Sequence, residues 1–451
     1  MSKEIKLSKG LDINLKGEAN KVYASVKPSK KYSLKPTNFQ GLFPKLLVKI
    51  GDQVKAGTPL FIDKYNENIK FCSAVSGKVV DIVRGKKRRI LDVIVQADSE
   101  IVYEKIDIPL NKDLSREQII SVMLKSGVWP FIRQRPYDTI ANPNDIPKAI
   151  FISSFTSAPI SIDNDFALYG MDELFQKGLD YIVKLTKGKT HLNVSNNTNP
   201  SQIFLNAKGV EINKISGPHP SGNVGVQINH IDPINKDEVV WYINPQDVIV
   251  IARLFSDKKY DVSRIVALSG EQVLKPRYYR VVAGSSISNL LLDNLKEDSV
   301  NRIISGDILT GEKIDVDGFL GFYDSTITVI KEGKEQEFLG WLKLGFDKFS
   351  ASRTFLSWLF PKKKFSLSAN MHGEERAYVM TGEYEKVFPM DIYPTQLVKS
   401  IMMEDIELME QLGIYEVVEE DFALCEFICT SKMPVQSIIR HGLDLIRKEN
   451  N

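Results

Sequence analysis

Cysteine is almost missing from this chain. The three present, Cys72, Cys425 and Cys429, are too few and too scattered for a disulfide framework and suit a reducing compartment. Structural zinc and thiolate clusters need about four ligands. Cys425-Glu-Phe-Ile-Cys429 supplies two, so both read as small apolar core groups. Histidine is scarce as well, with five residues. His219 and the pair His230-x-Asp232 are weak metal candidates. His219 reads better as a loop-stabilising residue bonded to a backbone group, and no metal site is expected. Excess charge of one sign is lacking: 59 basic residues face 57 acidic ones, a net charge of +2, which offers no basis for nucleic-acid binding. No stretch reaches the roughly 20 apolar residues that span a bilayer. The opening Met1-Ser-Lys-Glu-Ile-Lys-Leu7 has no apolar core for a secretory signal. Any membrane role is therefore expected to be peripheral.

The phosphate-binding loops are lacking too. No Gly-x-Gly-x-x-Gly follows a strand-like run, and no Gly-x-x-x-x-Gly-Lys-Ser/Thr occurs. The nearest approach, Gly306-Asp-Ile-Leu-Thr-Gly311-Glu-Lys313, puts an acid where a phosphate needs backbone amides and a cation. No tightly held NADH or FMN is expected. No Ser–His–Asp nucleophile set stands out either.

What is present is an α+β pattern in several parts, as expected of 451 residues. Residues 1–30 read as an extended lead-in, with Leu11-Asp-Ile-Asn-Leu15 strand-like. Residues 31–100 carry short β-branched runs at regular spacing, the mark of a small barrel or sandwich. Residues 101–258 alternate strands and helices. Candidate strands are Lys148–Ser153, Thr190–Val194 and Val210–Ile215, with helices over Asp172–Lys187 and Pro245–Phe255; this alternation predicts a Rossmann-like parallel sheet. Residues 259–330 are strand-rich again, and 331–451 are expected to be helical. There one helix is predicted from a Thr395 cap through Leu397, Ile401, Leu408 and Leu412 to a stop at Gly413, and another over Pro434–Arg447.

The loop between Val210–Ile215 and the run Val240–Tyr242 packs Gly217, Gly222 and Gly225 with two prolines around His219. Loops at strand ends of α/β sheets are where ligands and partners sit, so Gly217, His219, Gly222 and Gly225 form a candidate site for an unspecified ligand or partner. A second candidate is Trp129-Pro-Phe-Ile-Arg-Gln-Arg-Pro-Tyr137. Extended, it would place Phe131, Arg133, Arg135 and Tyr137 on one face. Aromatics can hold a flat quinone ring, and cations can stabilise its reduced oxygens. The structural alternative is arginines engaged in ion pairs.

Gly217-Pro-His-Pro-Ser-Gly-Asn-Val-Gly225, His230-Ile-Asp-Pro233, Val240-Trp-Tyr-Ile-Asn-Pro-Gln-Asp247, the Phe-x-Arg-x-Arg-Pro-Tyr run and Lys9-Gly-Leu-Asp12 together resemble the NqrA family of the sodium-translocating NADH:quinone reductase (Na+-NQR). Gly51-Asp-x-Val-x-x-Gly-x-x-Leu60 and Ser76-Gly-x-Val79 resemble a biotinyl/lipoyl carrier barrel-sandwich domain, in which Lys64 is the nearest lysine to a carrier position. Ser305-Gly-Asp-Ile-Leu-Thr-Gly311 and the following Tyr-Asp resemble a soluble-ligand-binding β-grasp (SLBB) module. The resemblance implies the layout of the complex I flavin subunit stripped of its cofactors. It further implies a peripheral subunit on the cytoplasmic side of the bacterial inner membrane. The six-subunit complex, A to F, would oxidise NADH, reduce ubiquinone or menaquinone and export sodium. FAD, FMN, riboflavin and iron–sulfur would reside in other subunits, with no redox cofactor in this one. An NqrA chain would supply docking surface and quinone contact. A cofactor-free interaction subunit of an Rnf-like complex is the alternative; the sister electron-transfer family of the Rnf complex adds cysteine-rich motifs that this chain lacks. A lipoyl-type carrier modified at Lys64 is a third.

Overall fold

A computed structural model describes residues 3–109, 113–333 and 340–450. Among these, residues 31–97 form two facing sheets. Lys31–Leu34, Ile90–Ala97, Gly77–Arg84 and Gln53–Val54 make one, and Pro44–Leu46, Pro59–Asp63 and Lys70–Cys72 the other. Phe61, Phe71, Val79, Val93 and Val95 point between them, as alternation along half-buried strands requires. Lys64 opens the hairpin turn after Pro59–Asp63, with its amide donating to the Phe43 carbonyl at 2.8 Å. The basic run Arg84–Arg89 is the exposed tip of the hairpin joining Gly77–Arg84 to Ile90–Ala97.

The central sheet has seven strands. In order across it they are Glu4–Lys6, Glu211–Ser216, Lys189–Ser195, Ala149–Ser153, Val240–Tyr242, Arg133–Arg135 and Thr139–Ile140. The first five run parallel, and each of the last two pairs antiparallel with the strand before it. Period-two alternation divides the apolar residues of Ala149–Ser153 between two cores. Ile150 and Ile152 join the core that contains helices Asp172–Ile182 and Pro245–Asp257. Ala149 and Phe151 join the core of Val224–Ile231 and the C-terminal helices. Strands buried on both faces explain the near-continuous apolar runs seen in the sequence.

The chain proceeds from Ala149–Ser153 outward to one side, through Lys189–Ser195 and Glu211–Ser216, and then returns to the other side as Val240–Tyr242. The direction of winding therefore reverses at the Ala149–Ser153 strand. A crevice opens outside the carboxyl ends of the strands at such a point.

The lead-in segment contributes to two sheets. Glu4–Lys6 closes one edge of the central sheet, and Tyr23–Ala24 closes an edge of a six-stranded sheet. The other strands of that sheet are Arg277–Val282, Ser263–Ser269, Thr326–Lys331, Asn301–Ser305 and Glu312–Ile314.

The described residues 340–450 depart from the expectation of a helical 331–451. Between 340 and 383 the described chain holds only the short 3-10 turns Gly340–Leu342 and Leu356–Leu359, and helices begin at Tyr384–Val387. The helix expected from Thr395 to Leu412 is two, Pro394–Met402 and Ile406–Gln411. Glu404 adopts a left-handed φ of +54°, and Asp405 caps the second helix by accepting from the Leu408 amide. Thr395 lies inside the first helix, Tyr393 stands at its N-cap, and Gly413 starts a 3-10 turn. The last helix, Val435–Glu449, buries Val435, Ile439, Gly442, Leu443 and Ile446. Cys425 and Cys429 lie in this core, where the Tyr384 hydroxyl donates to Cys429 Sγ at 3.0 Å.

Candidate functional site

The crevice at the winding reversal is a cleft of about 470 Å³, within the usual range for small-molecule sites. Its floor is the carboxyl end of Ala149–Ser153 and Val240–Tyr242, represented by Ser153 and Tyr242. One wall is the 219–224 loop with His219, and the opposite wall is the pair of turns at 305–312 and 321–326 of the six-stranded sheet. Arg133 and His219, one from each sequence candidate, line this same space.

Arg133 is held by geometry that its sequence neighbourhood does not reveal. It lies opposite Tyr242 in the antiparallel register. Its guanidinium carbon sits 4.5 Å from the Tyr242 ring centre and 4.3 Å from that of Tyr323. Two aromatic faces thus hold one cation, and Asp138 lies 3.6 Å away as its counter-ion. The Tyr242 hydroxyl donates to Asp138, and the Tyr323 hydroxyl to the Pro130 carbonyl at 2.6 Å. Both phenols are therefore fixed, and both residues line the cleft. Burial pushes both phenols well above their ordinary range, so they stay neutral.

The four residues Phe131, Arg133, Arg135 and Tyr137 do not share one surface. The strand is only Arg133–Arg135; Phe131 belongs to the 3-10 turn Trp129–Phe131, and the chain turns after Arg135 through a cis peptide to Pro136. Phe131 is buried and stacks on Phe322 at 4.6 Å, so it backs the cleft wall and does not line it. Arg135 is fully buried, donating to Asp421 at 3.0 Å and Glu420 at 2.7 Å. Tyr137 has φ +76° and faces the C-terminal helix, with Arg440 donating to its carbonyl and the Asn450 amide to its hydroxyl. Only Arg133 of the four reaches the cleft.

The 217–225 loop spends most of its amides on itself and its neighbours. Gly217 donates to Asn197, His219 to Asp12, Ser221 to the Pro218 carbonyl, Gly222 to Ser157 Oγ and Asn223 to the Pro220 carbonyl. Gly217 has φ +132°. At Gly222 a Cβ would fall 2.4 Å from the Ser157 amide nitrogen. At Gly225 it would fall 2.6 Å from Asp421 Oδ2 and 2.9 Å from an Arg135 nitrogen. Gly225 therefore makes room for a buried ion pair and is not placed to cradle a ligand. His219 bonds the Ser157 hydroxyl through Nδ1 at 2.9 Å, a side chain where a backbone partner was expected. Ser157 Oγ also accepts from the Gly222 amide at 2.8 Å, and His219 Nε2 has no hydrogen-bond partner among the described residues. Burial lowers the imidazole to about 4, against an opposing pull from Asp307 and Asp12, so it is neutral near pH 7.

Asp307 fills the Gly306–Gly311 turn. Its carboxylate accepts from the Leu309 amide at 2.7 Å, the Thr310 amide at 3.1 Å and the Thr310 hydroxyl at 2.6 Å. The side chain occupies the amides a bound anion would need. Elsewhere, His230 bonds the Val226 carbonyl of its own helix and Asp232 pairs with Lys148 at 2.7 Å.

Three family models match the chain: the NqrA N-terminal barrel-sandwich hybrid domain over residues 5–98, the NqrA second alpha/beta domain over 114–260, and the SLBB-type NQRA C-terminal domain over 265–315. Relatives named as the A subunit of Na(+)-translocating NADH-quinone reductase align along essentially the whole chain. That of Yersinia pestis bv. Antiqua is 37% identical over 99% of this chain and 100% of its own length. Those of Photorhabdus laumondii and Pasteurella multocida are each 36% identical over the same shares. This chain belongs to the NqrA family of Na(+)-translocating NADH-quinone reductase. Among solved structures, an NAD+-reducing NiFe hydrogenase in the air-oxidized state matches 48% of this chain and 47% of its own at 12% identity, with a TM-score of 0.35. The NqrA family accounts for the barrel-sandwich and α/β regions. Among the described residues no helix is long and apolar enough to cross a membrane.

Sequence reasoning missed Tyr242, Tyr323, Glu420 and Asp421. Tyr242 lay within the quoted Val240-Trp-Tyr run, and its place opposite Arg133 depends on pairing between strands far apart in the chain. Glu419-Glu-Asp421, set between Val417-Val418 and Phe422-Ala-Leu424, carried a usable signal. Acids inside an apolar run are buried only when paired.

Proposed function

We propose that this chain works as the peripheral NqrA component of a sodium-translocating NADH:quinone reductase and that its cleft receives a quinone head group. The observation that carries the second part is Arg133 held between the Tyr242 and Tyr323 rings at the edge of the cleft. A quinone needs flat apolar contact for its ring and donors for its oxygens, which become more negative on reduction. The phenol rings with Phe322 supply the contact. The Arg133 cation and the neutral imidazole of His219 supply polar groups from two sides.

On this reading Phe131 backs the pocket, and Arg135 and Tyr137 fix the C-terminal helices around it. Gly217, Gly222 and Gly225 shape the wall that presents His219. The division at residues 30, 100, 258 and 330 goes with this reading, with a Rossmann-like unit over 101–258 and a β-grasp unit over 259–330, both lacking the phosphate-binding sequence motifs. The chain would hold no redox cofactor of its own. NADH, FAD, FMN, riboflavin and iron–sulfur would be handled by the other five subunits, and the chain would dock on the membrane subunits from the cytoplasmic side. The isolated chain would then have no NADH oxidation activity.

The test is purification of the native complex with subunit identification, followed by labelling with a photoreactive ubiquinone or menaquinone analogue. Label on Tyr242, Tyr323 or the 219–224 loop, lost on Arg133→Met, is the expected result. Stoichiometric flavin on the lone chain, or label confined to other subunits, would refute the respective halves of the proposal. Co-purification with an Rnf-type assembly would favour a cofactor-free interaction role there instead.

A further inference from the structure

Residues 340–364 contain six basic residues, Lys343, Lys348, Arg353, Lys362, Lys363 and Lys364, and one acid, Asp347. The structure folds this stretch into a compact loop with its ends drawn together. The Leu356 amide donates to the Leu344 carbonyl at 3.0 Å, Ser357 Oγ to the Lys348 carbonyl at 2.5 Å, and Lys363 Nζ to the Phe346 carbonyl at 2.9 Å. The inner side is anchored: Ser357 is buried, and Phe349 packs edge-on against Phe365 at 5.5 Å and against Phe427 at 5.8 Å.

The outer side is the reverse of what a water-facing loop shows. Leu344 is 63% exposed, Trp358 49%, Leu359 50% and Phe360 52%, with Leu342 and Phe346 also exposed. Pro361-Lys-Lys-Lys364 follows directly. Clustered exposed apolar groups of this kind mark an interaction surface. Two features choose its partner. Tryptophan and phenylalanine seated beside lysines are the residues that settle at the level of lipid head groups. A local excess of five positive charges (six bases less one acid) on a chain of net charge +2 is complementary to anionic lipid, which attracts basic clusters close to the surface.

We propose that the 340–364 loop docks this chain directly on an anionic lipid surface, with Trp358, Leu359 and Phe360 entering the head-group region and Lys362 to Lys364 meeting the lipid phosphates. The surface is separate from the quinone reading and independent of it: it places the chain against the bilayer through lipid and not solely through other subunits.

The test uses the full chain and protein-free vesicles. It floats with phosphatidylglycerol-containing vesicles and not with pure phosphatidylcholine vesicles, and added salt releases it. Bromine-labelled lipid quenches the tryptophan fluorescence of the wild type, and Trp358→Phe reduces that quenching. Leu359→Ser combined with Lys362→Glu weakens binding to anionic vesicles about tenfold or more; an unchanged melting curve shows that the variant is folded. Lys362→Gln alone, at the one lysine of the three that makes no ion pair among the described residues, gives a smaller loss in the same direction. Absence of binding to either vesicle, equal binding to both, binding only to membranes that contain the other subunits, or full binding by the Leu359/Lys362 variant would each overturn the proposal.

Discussion

Arg133 and Arg135 stand two residues apart on one three-residue strand and point to the same side of the sheet, yet they inhabit opposite environments. Arg133 lies at the cleft edge between two tyrosine rings, with one acid 3.6 Å away. Arg135 lies fully buried against the C-terminal region, bonded to two acids at 2.7 and 3.0 Å. Alternation explains the shared side; what differs is the element above each residue. Over Arg133 stands an open crevice, and over Arg135 the Glu419–Phe422 turn, which brings Glu420 and Asp421 down onto it. Charge on one strand thus serves two purposes, decided by distant chain. A cation buried under a turn and matched by carboxylates is out of a ligand's reach, and one held mainly by rings at a cleft edge is not.

The contrast breaks first at Arg135. Arg135→Ala leaves Asp421, itself fully buried, without its cation, and loss of one partner of such a pair costs about 3–5 kcal/mol. Denaturant unfolding measures this. An Arg135→Ala chain as stable as wild type would mean that the buried cluster does not hold the C-terminal helices in place. His219 comes next. Its folded value of about 4 lies below the ordinary 6.5, so the unfolded chain binds more protons between these limits. Stability is full above about pH 6.5 and falls as pH drops toward 4, by about 3 kcal/mol for this one group. Removing the imidazole with His219→Gln flattens that part of the stability-versus-pH curve, read by urea midpoints across the window. Gly225→Ala is smaller, about 1–3 kcal/mol, because its Cβ meets the carboxylate and guanidinium of the buried pair. If the loss at Gly225 persists when Arg135 is already absent, the pair is not what the glycine accommodates.

These contrasts separate what the sequence could disclose from what it could not. Lys189–Ser195, Glu211–Ser216 and Pro245–Asp257 were readable to within a residue or two, since each carries its period over a full element. Glu4–Lys6 and Tyr23–Ala24 were not: strands of three and two residues have no period, and only partners at Lys214–Ser216 and Tyr278–Tyr279 make them strands. Glu404 and Asp405 fall inside the span expected for one long helix. Asp405 three residues before Leu408 is also an N-cap signal, and the cap prevailed because Glu404 leaves helical space. The cleft assembles Arg133, His219, Tyr242 and Tyr323 from four separate stretches. Two of these stretches stood out as candidate sites. The tyrosines became site residues only through tertiary pairing, and the expected one-faced Phe131–Tyr137 surface failed because Pro136 follows a strand of only three residues.

Arg133 gives the smallest effect on stability and the sharpest division between the two environments. Arg133→Met keeps an apolar stem between the tyrosine rings and removes the cation. The lost ring contacts and the weak ion pair with Asp138 amount to about 1 kcal/mol, well below the Arg135 loss. Asp138 is not stranded, because the Tyr242 hydroxyl still donates to it. Quinone photolabelling should nevertheless fall about tenfold or more, the loss of roughly one charge-assisted donor, while complex assembly and melting stay close to wild type. Arg133→Lys restores the charge without the flat guanidinium, so it separates a requirement for charge from one for stacking. Equal labelling of wild type and Arg133→Met would move the ligand away from this edge of the cleft and leave both arginines with purely structural work.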